Sequence, residues 1–203
     1  MTLTLLHTAE VHRGTFDTLA ARIAPKAKLV HHVRVDWLAR AKDGIGNELE
    51  REISRLVAAA GPVICTCTSL GEIAATYGAI RIDQPMMAHA ADIGGPVLLV
   101  FSVESTRGPS TALLDNAIRQ SGQTPDIQPL FVGEYWPLFL AGDIGGFHRA
   151  IAKAVHAHLS TCPDIASVVL AQASMMGAAK YLEDLEIPVL TSPELALRAG
   201  LNL

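Results

Sequence analysis

Basic residues are too few and too scattered to form a stripe: 16 lysines and arginines stand against 20 acidic residues, for a net charge of -4. That balance argues against a nucleic-acid-coating protein, and the low charge content against a disordered chain. No uninterrupted apolar run reaches the roughly 18 residues needed to span a bilayer, so no membrane association is expected. The opening MTLTLLHTAEVH has no basic region ahead of its short apolar run, and no signal peptide is expected there. Cysteine is scarce, with Cys65, Cys67 and Cys162 only. An odd count in a chain of this size suits free thiols in the reducing cytoplasm rather than a disulfide framework. The Cys-x-Cys pair has no second cysteine pair to complete a metal site, so no metal is expected. There is no Gly-x-Gly-x-x-Gly after the first strand, no phosphate-loop lysine and no lysine in a context that suggests a Schiff base, so no organic cofactor is expected.

Half of the 203 residues are hydrophobic, enough for one sizeable core or two small lobes. Short β-rich runs (LTLLH, KLVHHVRV, PVICTC, PVLLVFSV, DIQPLFV, SVVLAQ and IPVLTS) are separated by helix-length segments. The alternation predicts α/β layers around mostly parallel sheets, and the near-continuous apolarity of several runs predicts helices on both faces. Helices are expected over Gly14–Ala24, with Phe16, Leu19 and Ile23 inward, and over Gly46–Ala60, with Leu49, Ile53, Leu56 and Val57 inward. The turn ADIGGP roughly bisects the chain, and each side repeats strand, helix, strand, helix, strand, a weak internal duplication. The expected lobes are 1–94 with 194–203, and 95–193. The closing PELALRAGLNL reads as a helix that crosses back onto the first lobe.

Sites in such sheets lie beyond the carboxyl ends of the strands, where the polar tips fall: Thr8, Cys67 to Ser69, Ser102 to Arg107, and Gln172 to Ser174. Cys67 is the candidate catalytic residue. Thr8, Thr68, Ser69, Thr106, Arg107, Gln172 and Ser174 are candidates for holding substrate. Cys65 is expected to alternate onto the other side of its strand and pack in the core. His31 and His32, inside a strand, read as satisfied histidines. The segment EYWPLFLAG suits a lid or an apolar contact in a homo-oligomer.

Taken in order, LLHTAEVHRGTF, VICTCTSLGE, RIDQPMMAHA, VLLVFSVESTRGPS, AGDIGGFH, VVLAQASMMG and IPVLTSPE resemble the aspartate/glutamate/hydantoin racemase superfamily over nearly the whole chain. The resemblance implies a cofactor-independent enzyme of two similar α/β lobes with its active site in the cleft between them. It also implies two cysteines, one from an equivalent strand end of each lobe, facing each other across the substrate. Cys67 matches the first; the second falls on Gln172. The related arylmalonate decarboxylases are similar at the CTSL run but keep their one cysteine in the other lobe, so this chain resembles their mirror image. Maleate isomerase is a further relative of the same kind.

The chemistry fits these residue types. Removing a proton beside a carboxylate creates an enediolate, which needs a base and fixed donors for the oxyanion. A thiol at a helix N-terminus is available as thiolate near neutral pH, and Thr68, Ser69 and the N–H groups that follow can hold carboxylate oxygens. A racemase also needs an acid on the opposite face, and the Gln172 amide does not exchange a proton usefully near neutrality. His7, His12 and His89 are the alternative acids, with Asp83 as an orienting carboxylate, and Arg107 suits a clamp on a second substrate carboxylate. The reading is a racemase or isomerase acting beside a carboxylate of a small amino acid, hydantoin or dicarboxylic acid, with Cys67 as base or nucleophile. The alternatives are a one-cysteine decarboxylase or lyase and a non-catalytic carboxylate-binding protein.

Overall fold

The computed structural model describes residues 2–42 and 44–203. The chain divides into two compact units, Met1–Pro85 with Pro193–Leu203, and Met86–Ser192.

The first unit runs β1 (Thr2–His7), α1 (Val11–Ile23), β2 (Lys28–Val33), α2 (Val35–Arg40), α3 (Asn47–Ala59), β3 (Val63–Cys65), α4 (Thr68–Thr76) and β4 (Ile80–Arg81). Helix α5 (Gln84–Ile93) carries the chain into the second unit. There follow β5 (Val97–Phe101), α6 (Glu104–Gln120), β6 (Ile127–Phe131), α7 (Trp136–Leu140), α8 (Ile144–Leu159), β7 (Ser167–Leu170) and β8 (Val189–Thr191). A 3-10 segment, Ala173–Tyr181, follows β7, and α9 (Ser192–Leu201) returns to the first unit.

Each unit holds one parallel four-stranded sheet, in the orders β2-β1-β3-β4 and β6-β5-β7-β8. The orders are the same once the strands are counted within each unit, which gives the duplication read from the sequence a structural form. The seven apolar runs are all strands. The eighth, β4, has no apolar run to announce it: it is the two residues Ile80 and Arg81, paired with Ile64 and Cys65.

Apolar spacing explains the covering helices. In α3, Leu49, Ile53 and Val57 recur every four residues and are buried, while Glu48 and Glu50 sit in the first turn, where the helix dipole favours them. In α8 the buried stripe is Phe147, Ile151, Ala152 and Val155, and the Asp143 side chain caps the helix by accepting from the Gly146 N–H at 2.8 Å. Gly200 marks the docking of α9 onto the first sheet: a Cβ there would lie 2.8 Å from Ile64 Cδ1 and 3.0 Å from Leu3 Cδ1. The segment EYWPLFLAG is not a loop. It folds as a short 3-10 turn and α7, with Tyr135, Trp136, Leu138 and Phe139 packed on the core of the second unit.

Candidate functional site

At the carboxyl edge of the first sheet, β3 ends at Cys65 and the chain continues in extended conformation through Thr66 to Cys67, the residue from which α4 starts. Cys67 is 8% exposed and makes no side-chain cap to α4, so its thiol sits at a helix N-terminus whose first-turn N–H groups it does not occupy. Thr68 and Ser69, the first two residues of α4, are both half-buried, and Thr8 is half-buried just past the end of β1.

Cys65 does not lie on the opposite side from Cys67. Both belong to one apolar cluster with Leu6, Trp37, Ile53 and Leu70, and the Cys65 thiol donates to the Cys67 carbonyl at 3.6 Å. Alternation has period two, so residues two apart return to the same face; it is Thr66, between them, that turns the other way. The core placement of Cys65 stands: it is fully buried, and burial pushes its thiol far above the ordinary range.

Thr66 faces a chain of hydrogen bonds that sequence spacing does not reveal. His7, the last residue of β1, is 0% exposed. Its Nδ1 lies 2.8 Å from Thr66 Oγ1 and its Nε2 lies 2.9 Å from His31 Nδ1. His31 Nε2 in turn lies 3.0 Å from Asp17 Oδ1 on α1. The two ring planes are 18° from parallel with centroids 5.2 Å apart, and the rings meet through the His7 Nε2 to His31 Nδ1 contact. Burial first, then the charges of His12, His31 and Arg13, lowers the His7 pKa to about 3. Burial also lowers that of His12.

His7 therefore disfavours the folded state in acid. Its folded pKa lies below its ordinary value of 6.5, so its contribution is fully present above pH 6.5 and is lost as the pH falls toward 3, where the unfolded chain binds a proton that the folded chain refuses. Urea titrations between pH 7 and pH 4 should show stability falling. His7→Gln, which takes up no proton, should remove up to about 1.4 kcal/mol per pH unit from that slope. An unchanged slope would mean that His7 is protonated in the folded chain.

Asp83 does not orient a histidine. It is 0% exposed and forms a two-pronged pair with Arg81, Nε to Oδ1 at 3.0 Å and Nη2 to Oδ2 at 3.0 Å. His89 is exposed on α5.

The second unit repeats the geometry with different chemistry. Gln172 stands two residues past the end of β7, as Cys67 stands two past the end of β3, and like Cys67 it is extended and starts the helical segment that follows. Its side chain reaches sideways to the end of β5. There its Oε1 accepts from the Ser102 N–H at 2.7 Å, the Val103 N–H at 3.1 Å and the Ser102 hydroxyl at 3.0 Å. Two backbone donors leave no doubt about which end of the amide is oxygen. The donors just ahead of α6 are thus already met by a neutral acceptor. Thr106 and Arg107 are in the first turn of α6, and the helix runs on through Pro109 although that residue has no N–H to give. Thr106 is buried; Arg107 is exposed and lies 3.5 Å from Glu104. Ser174 is half-buried, and its carbonyl is 2.9 Å from His148 Nε2.

Among the described residues no group of three or more His, Cys, Asp or Glu side chains is placed to hold a metal ion, and no helix is long and apolar enough to cross a membrane.

Comparison with protein-family models and with curated protein sequences finds no match. Solved structures do match. Glutamate racemase from Aquifex pyrophilus aligns over 100% of this chain and 84% of its own, at 15% identity and a TM-score of 0.61. Aspartate racemase from Picrophilus torridus aligns over 99% and 93%, at 14% identity and a TM-score of 0.68. Allantoin racemase from Klebsiella pneumoniae aligns over 100% and 87%, at 17% identity and a TM-score of 0.70. At these identities the likeness is one of fold: over its whole length this chain shares the α/β fold of these glutamate, aspartate and allantoin racemases.

Proposed function

We propose that the protein is a cofactor-independent, cytoplasmic enzyme of the racemase and isomerase kind, acting beside the carboxylate of a small amino acid, hydantoin or dicarboxylic acid. Cys67 is its base or nucleophile. The observation that carries this reading is the position of Cys67: a thiol at the carboxyl edge of a parallel sheet and at the N-terminus of α4, in a chain with a racemase fold. Beside it, Thr68, Ser69 and the first-turn N–H groups supply donors for a carboxylate. Thr8 lies on the same sheet edge, at the end of the neighbouring β1.

A second reading, a one-cysteine decarboxylase or lyase, is favoured by one observation. Gln172 occupies the position equivalent to Cys67 and commits its oxygen to Ser102 and Val103. It cannot return a proton, and a reaction that protonates one face only has no need of a second acid. Arg107, exposed beside Glu104, is available to meet a second substrate carboxylate only by leaving that partner. Thr106 and Ser174, at the strand-end tips of the second unit, are further candidates for holding substrate.

Deuterium wash-in at the α-carbon separates these readings. Small amino acids, hydantoins and dicarboxylic acids are incubated in D₂O with wild type and Cys67→Ala. Exchange in wild type, reduced on the order of 10²-fold or more in the variant, is expected for base catalysis. Exchange that survives in Cys67→Ala would remove Cys67 from the chemistry. Binding without exchange or turnover in wild type would leave a carboxylate-binding protein for the acids tested.

A further inference from the structure

With His7 neutral and Asp17 ionised, the hydrogen-bonded row Asp17, His31, His7, Thr66 closes in two ways. In the first, every donor points toward the helix. The Thr66 hydroxyl donates to His7 Nδ1, His7 Nε2–H donates to His31 Nδ1, and His31 Nε2–H donates to Asp17. In the second, His31 carries protons on both nitrogens and donates to both neighbours. His7 must then hold its proton on Nδ1 and donate it to Thr66, and the Thr66 hydroxyl donates to the Leu6 carbonyl, 3.0 Å away. The second arrangement holds one more proton than the first, and His7 is neutral in both. Its burial requires that neutrality.

We propose that His7 is a positioning residue for the turn that carries Cys67: by exchanging tautomer when the Asp17–His31 pair takes up a proton, it reverses the hydroxyl of Thr66, one residue before the thiol. The proton bookkeeping closes within the row. One solvent-derived proton enters in total: His7 gives its Nε2 proton to His31 Nδ1 and takes the added one on Nδ1, while the Thr66 hydroxyl keeps its own proton and turns from His7 Nδ1 to the Leu6 carbonyl. The new charge resides on His31, beside the Asp17 carboxylate, whose side chain is 58% exposed and open to solvent exchange. The charged and titratable groups around His7 are His12, Arg13 and Asp17 on α1 and His31 on β2, with Arg13 already paired to Glu10 at 3.2 Å. Among the described residues Asp17 is thus the one carboxylate bonded to the row. The reversed hydroxyl lies in the turn that leads to Cys67, so the device sets the pH range in which that turn works. The second unit has no counterpart: Phe101 and Ala171 stand where His7 and Thr66 stand in the first.

The role assigned to Cys67 rests on the proposed function, but the switch itself can be read without any substrate. Nitrogen-15 NMR of the histidine side chains, recorded on the full-length protein across pH, reports which His7 nitrogen bears the proton. The expected result is a change from Nε2–H to Nδ1–H with decreasing pH, with His7 never doubly protonated over that range. Asp17→Asn, on an exposed helix face, should shift the midpoint to lower pH by about one unit. Thr66→Val should abolish the coupled change and Thr66→Ser restore it. A His7 tautomer that stays fixed, or a midpoint that Asp17→Asn leaves in place, overturns the proposal. The pH profile of α-proton exchange is then compared. A tautomer change with exchange that survives in Cys67→Ala discards the role of Cys67 and keeps the switch. Exchange that depends on Cys67 with no tautomer change does the reverse.

Discussion

Asp83→Ala is expected to destabilise the protein by about 3–5 kcal/mol, the loss typical of removing one member of a buried ion pair. The Asp83 carboxylate has no exposure, the Arg81 guanidinium almost none, and the two meet through paired hydrogen bonds. With the carboxylate gone, a charged guanidinium whose side chain is only 10% exposed is left without its partner, packed against Gly71 of α4, where a Cβ would already be 3.2 Å from Arg81 Cγ. Denaturant titration of wild type and variant measures the loss. Replacing both residues by apolar ones of similar size, Arg81→Met with Asp83→Leu, should cost markedly less, since no charge is then left unpaired. A loss below about 1 kcal/mol for Asp83→Ala would show that the pair is solvated after all.

The largest gain of function is expected from Gln172→Cys. The variant puts a thiol two residues past the end of β7, as Cys67 is past β3, and frees the Ser102 and Val103 N–H groups that the amide oxygen now occupies. Those donors and the start of the following helical segment favour a thiolate. If the chain works as a racemase limited by its missing acid, racemisation should rise on the order of 10²-fold, the usual worth of a positioned acid or base. Chiral chromatography of a single enantiomer incubated with each variant reads this directly. Gln172→Ala vacates the same donors without supplying a thiol and should show no gain. A folded Gln172→Cys that does no better than Gln172→Ala would mean that the structural equivalence of the two positions does not extend to their chemistry.

How far the sequence carries can be seen at particular residues. The strands were legible because helices cover both faces of each sheet, so Val97–Phe101 and Ser167–Leu170 are apolar or small throughout and fully buried. β4 was not, because two residues ending in an ion-paired arginine leave no hydrophobic pattern. The polar tips pointed correctly to strand ends, but not to what their side chains touch. Gln172 meets Ser102 across 70 residues of chain, and His7 meets His31 only because β1 and β2 pair in a register that sets Leu5 beside His31. A signal was available for the second case: two histidines near the ends of adjacent apolar strands, with an aspartate on the helix that joins them. Local spacing does not encode such a link; topology does. The tip Ser102 to Arg107 runs directly into a helix, and α6 continues through both Gly108 and Pro109.

The return of α9 to the first unit has a consequence for how the chain is made. Residues 86–192 form one uninterrupted stretch that can close on itself as soon as it leaves the ribosome. The N-terminal sheet emerges earlier but lacks the helix that covers Leu3 and Ile64, which arrives only after the entire second unit has been synthesised. Domains generally fold in order of synthesis. Here the order is inverted, and the half that carries Cys67 stays incomplete, with part of its apolar face uncovered, until the other half is finished.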